Sequence, residues 1–276
     1  MLEWSNRLVS KTMRLARGTG VRIPPPPLMK TVLITGASSG FGKETARLLA
    51  KKGYRLILVA RRKPILEELA NKLKTEVVVG TVDVRDKEQI ERFIKGLPKR
   101  FKKIDVLINN AGLALGLSPA YESELEDWEN MIDTNIKGVI YFTRFVLPIM
   151  KRQGSGHIVN IGSVSSRIPY LGANVYGATK AFIKQFSRNL RIDLLGTNIR
   201  ITNIQPGPAE TEFSIIRFKG DKNKANAVYQ GWRTLEAKDI AEAIYWVITR
   251  PERINIDTIE IISTDQAQGG LITHKL

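Results

Sequence analysis

The stretch "TVLITGASSGFGKETARLLAKKG", residues 31–53, limits the possible folds of this chain more than any other segment. A short aliphatic, β-branched run ends abruptly at glycine, and a helical pattern follows at once. An apolar run without polar alternation reads as a strand buried on both faces. Glycines at 36, 40 and 42 let the backbone turn tightly between that strand and the helix. The free amides and dipole at the helix N-terminus then favour a phosphate-bearing anion. Gly36, Ser38, Ser39, Gly40, Phe41 and Gly42 are the loop residues expected to hold it. Their spacing, G-x-x-x-G-x-G, departs from the commoner G-x-G-x-x-G fingerprint. The slot between first strand and first helix therefore carries the inference.

The same rhythm continues along the chain. Strands are predicted at 31–35, 55–60, 76–84, 104–112, 156–163, 199–207 and 258–262. Between them lie helical patterns at 42–53, 64–74, 87–97, 124–152, 175–195 and 238–249, with Pro148 as an expected kink. Near-continuous apolar strands separated by helices mean an α/β fold of Rossmann type, a single-domain, doubly wound parallel sheet with helices on both faces. The catalytic, dinucleotide-binding domain is placed at 29–276. Residues 1–28 form a basic extension ending in Pro24 to Pro27, read as an arm, a targeting peptide or translated sequence ahead of a start at Met29.

Composition removes several chemistries. The chain has no cysteine and only His157 and His274, so thiol nucleophiles, disulfides and histidine-based metal sites are not expected, and no metal is assigned. His157, at the start of a strand, reads as structural. The net charge is +16, of which the extension supplies +4. The remaining basic residues are scattered in pairs without interleaved aromatics, which suits anionic small molecules better than nucleic acid. No apolar run reaches membrane-spanning length. A cytoplasmic location is expected, or an organellar one if residues 1–28 act as a transit peptide.

Tyr176 and Lys180 in "NVYGATKAF" lie four apart and share one helix face. The spacing alone is common. Together with the glycine loop, "NNAG" at Asn109–Gly112, Ser163 after the fifth strand and Asn135 in "DTNIKG", it resembles the short-chain dehydrogenase/reductase family over residues 30–265. The resemblance implies hydride transfer by a nicotinamide cofactor, with Ser163, Tyr176, Lys180 and Asn135 as catalytic members. It implies that Tyr176 exchanges the substrate proton, that Ser163 orients the oxygen, that Lys180 holds the nicotinamide ribose, and that Asn135 stabilises a water leading from Lys180 to solvent. It also implies cofactor contacts from Asp83, Val84, Asn109, Ala111, Gly112, Pro206, Gly207 and Thr211, and a shared helix interface giving a homodimer or homotetramer.

Longer stretches, among them "DWENMIDTNIKG" and "TEFSIIRFKGD", are similar to NADP-dependent 3-hydroxy acid dehydrogenases, which act on serine, allo-threonine and related acids. The alternative is a reductase of other carbonyls, such as β-keto esters, sugars or steroids, and more remotely a non-catalytic NADP sensor. Charge selects the cofactor. The second strand ends "VARR", with Ala60 where an acid would bind a ribose 2′-hydroxyl, and Arg61 and Arg62 suit the 2′-phosphate of NADP. For a substrate carboxylate the candidate cations are Arg167, Lys219 and, ranked first, Arg217. Trp128, Trp232 and Trp246 read as helix packing anchors.

Overall fold

The apolar strands divide their side chains between two faces. In strand β1 (Thr31–Thr35), Val32 and Ile34 join one buried cluster while Leu33 joins the other. Strand β2 (Arg55–Ala60) does the same, with Leu56 and Leu58 on one side and Ile57 and Val59 on the other. Successive side chains of a strand point to opposite faces, so only a sheet covered twice can bury every position.

The computed structural model describes residues 29–267. The readings made for residues 1–28 lie outside them. After β2 come strands β3 (Val77–Thr81), β4 (Val106–Asn109), β5 (Gly156–Ile161) and β6 (Ile199–Pro206). The chain then makes two short strands, β7 (Ala209–Glu210) and β8 (Leu235–Glu236), and ends with β9 (Thr258–Ile261). Seven strands form one parallel sheet in the order β3-β2-β1-β4-β5-β6-β9, while β7 and β8 pair separately. The order reverses at β1 and β4, and the crevice at their carboxyl ends is where such sheets bind ligands.

Helices α1 (Gly40–Lys51) and α2 (Lys63–Lys72) cover the first face. Helix α3 (Lys87–Lys95) lies on the second, with Ile90 and Ile94 buried. The expected long helix at 124–152 appears as α4 (Leu125–Ile132), a π-turn (Asp133–Lys137) and α5 (Gly138–Gln153). The irregularity sits at Asn135, while α5 continues through the expected kink at Pro148. Helix α6 (Asn174–Asp193) carries Tyr176 and Lys180. Three further helices follow: α7 (Glu212–Arg217), α8 (Lys222–Ala227) and α9 (Ala237–Ile248). Trp232 is buried but outside a helix, and Trp246 is half-exposed beneath the guanidinium of Arg250. Among the described residues no helix is long and apolar enough to cross a membrane.

His157 shows how a core position creates a pH liability. Its ring is buried, Nε2 meets the Thr202 hydroxyl at 2.8 Å, and Nδ1 has no partner. The Thr202 hydroxyl donates to Ile256 O, so it accepts from an Nε2–H. Burial, reinforced by Arg200 and Lys30, pushes the imidazole pKa down to about 3. The unfolded chain therefore binds the proton first, and stability falls as pH drops from about 6.5 toward 3. Between pH 7 and 4.5 the wild type should lose about 2–3 kcal/mol more than His157→Gln. Urea unfolding of both proteins across that range checks this, and parallel profiles would refute it.

Candidate active site

The end of β1 is bound to the end of β4 by one hydroxyl. Thr35 Oγ1 accepts from the amides of Asn110 and Ala111, both at 3.0 Å, which brings the "NNAG" turn against the glycine loop. Gly36 takes φ +65°, and a Cβ there would fall 2.9 Å from Ala111 Cα. At Gly42 a Cβ would fall 2.5 Å from the carbonyl oxygen of Gly36. Ser39 occupies the N-cap position of α1, yet its side chain makes no capping hydrogen bond. The amides of the first helical turn stay available to an anion in the cleft.

These loops open one side of a cavity of about 510 Å³. Of the residues expected at the cofactor and the reacting oxygen, all line it except Gly42, Asn109 and Asn135, and of the three candidate cations only Arg217 does. Gly42 serves the close packing of helix against loop. Asn109 is a correction: its side chain turns away from the cavity toward α5, where Nδ2 donates to Thr143 Oγ1, and to Asn160 Oδ1 of β5. The neighbouring Asn110 faces the cavity, and its Nδ2 donates to Thr35 O and Gly36 O. The motif announced an asparagine; strand alternation chose which one.

At one end of the cavity lie Ala60, Arg61, Arg62 and Ser38. Two guanidiniums follow Ala60 at the end of β2, where an acid would bind a ribose 2′-hydroxyl, and this fits a 2′-phosphate. Asp83 and Val84 line the same end, and the Asp83 carboxylate is held by Arg85 at 2.7 Å. At the other end are Gly207, Ser163, Tyr176 and Lys180, while Thr211 lies against Gly40 of the glycine loop. A cleft with a glycine cradle and a pair of arginines beside it has the donor set a dinucleotide phosphate requires.

Ser163 caps a short turn after β5. Its Oγ accepts from the amide of Ser165 at 3.1 Å and from the Ser165 hydroxyl at 2.8 Å. Its own proton is therefore free to donate into the cavity. Ser165 was not singled out from sequence, although "SVSS" places it two residues on. Lys180 Nζ donates to Ile161 O at 2.9 Å and lies 5.8 Å from the Tyr176 ring centroid. Burial lowers the lysine pKa to about 8.

The phenol is shifted upward despite the cations beside its ring. Burial, with Tyr170 adding to it, pushes the Tyr176 pKa up to about 12. Hydrogen bonding to Ser163, the charge of Arg217 and hydrogen bonding to Ser165 oppose that rise without overcoming it. Desolvation wins because the hydroxyl lies inside the pocket and Lys180 spends a proton on a carbonyl.

Asn135 lies outside the cavity wall. Its Oδ1 accepts from Leu113 N at 2.8 Å, and its Nδ2 donates to Leu113 O at 2.8 Å and Thr179 Oγ1 at 3.0 Å. The amide thus clamps the 113 loop to α6. A Cβ on Gly112 would sit 3.2 Å from Asn135 Oδ1 and 3.5 Å from Lys180 Nζ, so a side chain there would press on the asparagine oxygen.

The three candidate cations separate cleanly. Arg167 is exposed and pairs with Glu260 at 2.9 Å, and Lys219 pairs with Asp127 at 2.8 Å. Arg217 lies half-buried in the cavity, with Nη2 on the Tyr170 hydroxyl at 3.0 Å and Nε on Gly116 O at 3.2 Å. Its guanidinium lies over both the Tyr170 and Tyr176 rings. Among the described residues no carboxylate forms an ion pair with it, which leaves its charge facing neutral acceptors and the cleft. Tyr170 and Phe213, whose ring tilts against Tyr176 at 5.7 Å, escaped the sequence reading.

The chain is similar to known proteins over most of its length. Residues 30–221 match the family described as short chain dehydrogenase. The NADP-dependent 3-hydroxy acid dehydrogenase YdfG of Salmonella typhi is 50% identical over 245 residues, 88% of this chain and 99% of that protein. Sulfoacetaldehyde reductase 2 of Chromohalobacter salexigens is 48% identical over 239 residues, 86% of this chain and 95% of that protein. The closed form of a serine dehydrogenase complexed with NADP+ superposes with a TM-score of 0.85 at 47% identity, covering 89% of this chain and all of that one. With sheet order, glycine loop and the serine, tyrosine and lysine assembled in one cleft, the chain belongs to the short-chain dehydrogenase family.

Proposed function

We propose that this NADP-dependent oxidoreductase interconverts the 3-hydroxyl and 3-oxo groups of short acids such as serine, allo-threonine or 3-hydroxypropionate. The observation that carries the acid requirement is Arg217, a half-buried guanidinium beside the tyrosine with no carboxylate of its own. Such a charge favours a ligand that brings an anion. Bound NADP supplies or accepts the hydride. Arg61 and Arg62 hold its 2′-phosphate, the loop from Gly36 to Phe41 its pyrophosphate, and Lys180 its nicotinamide ribose.

Tyr176 is a neutral phenol at pH 7, the state needed to give a proton to a carbonyl oxygen during reduction. Oxidation needs the phenolate, and the positive charge of the oxidised nicotinamide favours it. Ser163 donates a hydrogen bond to the same oxygen. Lys180, with a pKa of about 8, is mostly ammonium at neutral pH. Asn135 acts through position, by fixing the 113 loop and α6.

The name of one relative, a sulfoacetaldehyde reductase, supports a second reading in which Arg217 and Tyr170 receive a sulfonate. The test is a steady-state panel of serine, allo-threonine, 3-hydroxypropionate, 3-hydroxyisobutyrate, 2-hydroxyethanesulfonate and uncharged alcohols with NADP+ and NAD+. Arg217→Ala should raise KM for the preferred acid about 10- to 100-fold, with a smaller change in kcat. Uncharged alcohols used as well as the acids, or an unchanged KM, would defeat the reading.

A further inference from the structure

The cavity wall holds an ion pair that the chemistry above does not use. Arg62 Nη1 donates to Glu212 Oε2 at 2.9 Å, joining residues 150 positions apart. Both line the cavity, and among the described residues this is the one ion pair with both partners there. The remaining nitrogens of Arg62 are also occupied. Nε and Nη2 donate to Ser38 Oγ at 3.3 and 3.1 Å. The guanidinium proposed for the 2′-phosphate therefore already holds one anion of the chain's own making.

Glu212 is the first residue of α7, and Thr211, its N-cap, also lines the cavity. The carboxylate is held in place by its pair with Arg62. A ribose 2′-phosphate carries close to two negative charges at pH 7 and offers three acceptor oxygens. It can displace a singly charged carboxylate from the guanidinium, but the displaced anion then stays nearby and repels it. A cofactor with a 2′-hydroxyl makes no such demand and leaves the pair intact.

We propose that Glu212 is a specificity-determining residue, an internal anion that competes with the cofactor 2′-phosphate for Arg62 and so selectively loosens the hold on NADP(H). This rests on Arg62 receiving the 2′-phosphate. The competition lowers the affinity of the phosphorylated cofactor and hastens its release.

The experiment is a double-mutant cycle on the full-length chain. Dissociation constants for NADPH and NADH are measured by fluorescence titration for the wild type, Glu212→Gln, Arg62→Ala and the double variant. Because an exposed ion pair is weak, Glu212→Gln should tighten NADPH about 2- to 5-fold and raise the NADH-to-NADPH ratio of dissociation constants by the same factor. In the Arg62→Ala background the substitution should leave that ratio unchanged. Equal tightening of both cofactors would mean a general charge effect and overturn the proposal, as would weaker NADPH binding or a gain that persists without Arg62. If Arg62→Ala alone leaves the ratio where it was, the reading of Arg62 itself fails. If Arg62→Ala shifts the ratio and Glu212→Gln does not, only the competition fails. Raising the salt concentration gives a second reading, since the gain from Glu212→Gln should shrink as screening weakens the pair.

Discussion

Tyr176→Phe should lower turnover in both directions by about 10³-fold, within the range general acid–base groups contribute, while NADPH binds almost as before. The substitution removes one oxygen and keeps the ring. The ring's contacts with Phe213 and with the guanidinium of Arg217 survive, so the pocket has no reason to collapse. What disappears is the proton exchanged with the substrate oxygen. Because the phenol's pKa lies near 12 before cofactor binds, its wild-type reductive activity should persist through neutral pH, where the group is protonated. Oxidation should gain as pH rises, because it needs the deprotonated form. Stopped-flow NADPH binding and turnover measured side by side separate the two effects. A variant retaining a tenth of wild-type kcat would remove Tyr176 from the reaction.

The second large effect lies at the far end of the cleft. In Arg61→Ala/Arg62→Ala, the preference for NADP(H) over NAD(H), taken as a ratio of kcat/KM values, should fall by about 100-fold. Two charge-assisted contacts to one phosphate are lost, whereas the 2′-hydroxyl of NAD(H) never had them. Adding Ala60→Asp should raise NAD(H) use further, because an acid at the end of β2 can accept from the ribose hydroxyl. An unchanged ratio would show that these arginines are solvated turn residues.

The sheet was legible because burial on both faces leaves an unbroken apolar signature, and strands such as "TVLIT" and "RLILVA" have the expected ends. Ends blurred where apolar residues continue past the last pair. The third strand pairs only to Thr81, though "VDV" extends the run. Between Pro208 and Glu236 the chain builds two-residue strands and six-residue helices. Those are too short for a period to declare itself. The site was legible as a set of motifs, but three of its properties depend on assembly. Which asparagine of "NNAG" faces the cleft follows from strand alternation. Which cation is unpaired follows from partners such as Glu260 and Asp127, distant in sequence. The direction of the tyrosine shift follows from burial, which spacing along a helix cannot express.

The π-turn at Asp133–Lys137 has a consequence for how the chain tolerates length changes. A turn of this kind holds one residue more than an α-turn spanning the same rise. The helix running from 125 to 153 is thus complete without that residue, and its two halves could rejoin in regular register if one were deleted. Such a deletion would leave the two halves facing as they do, because the turn takes up the extra residue locally, but it would retract the bulge that carries Asn135. The clamp from Asn135 to Leu113 and Thr179 would lose its aim. The surplus residue is a spacer, and its length is measured against the active site rather than against the helix.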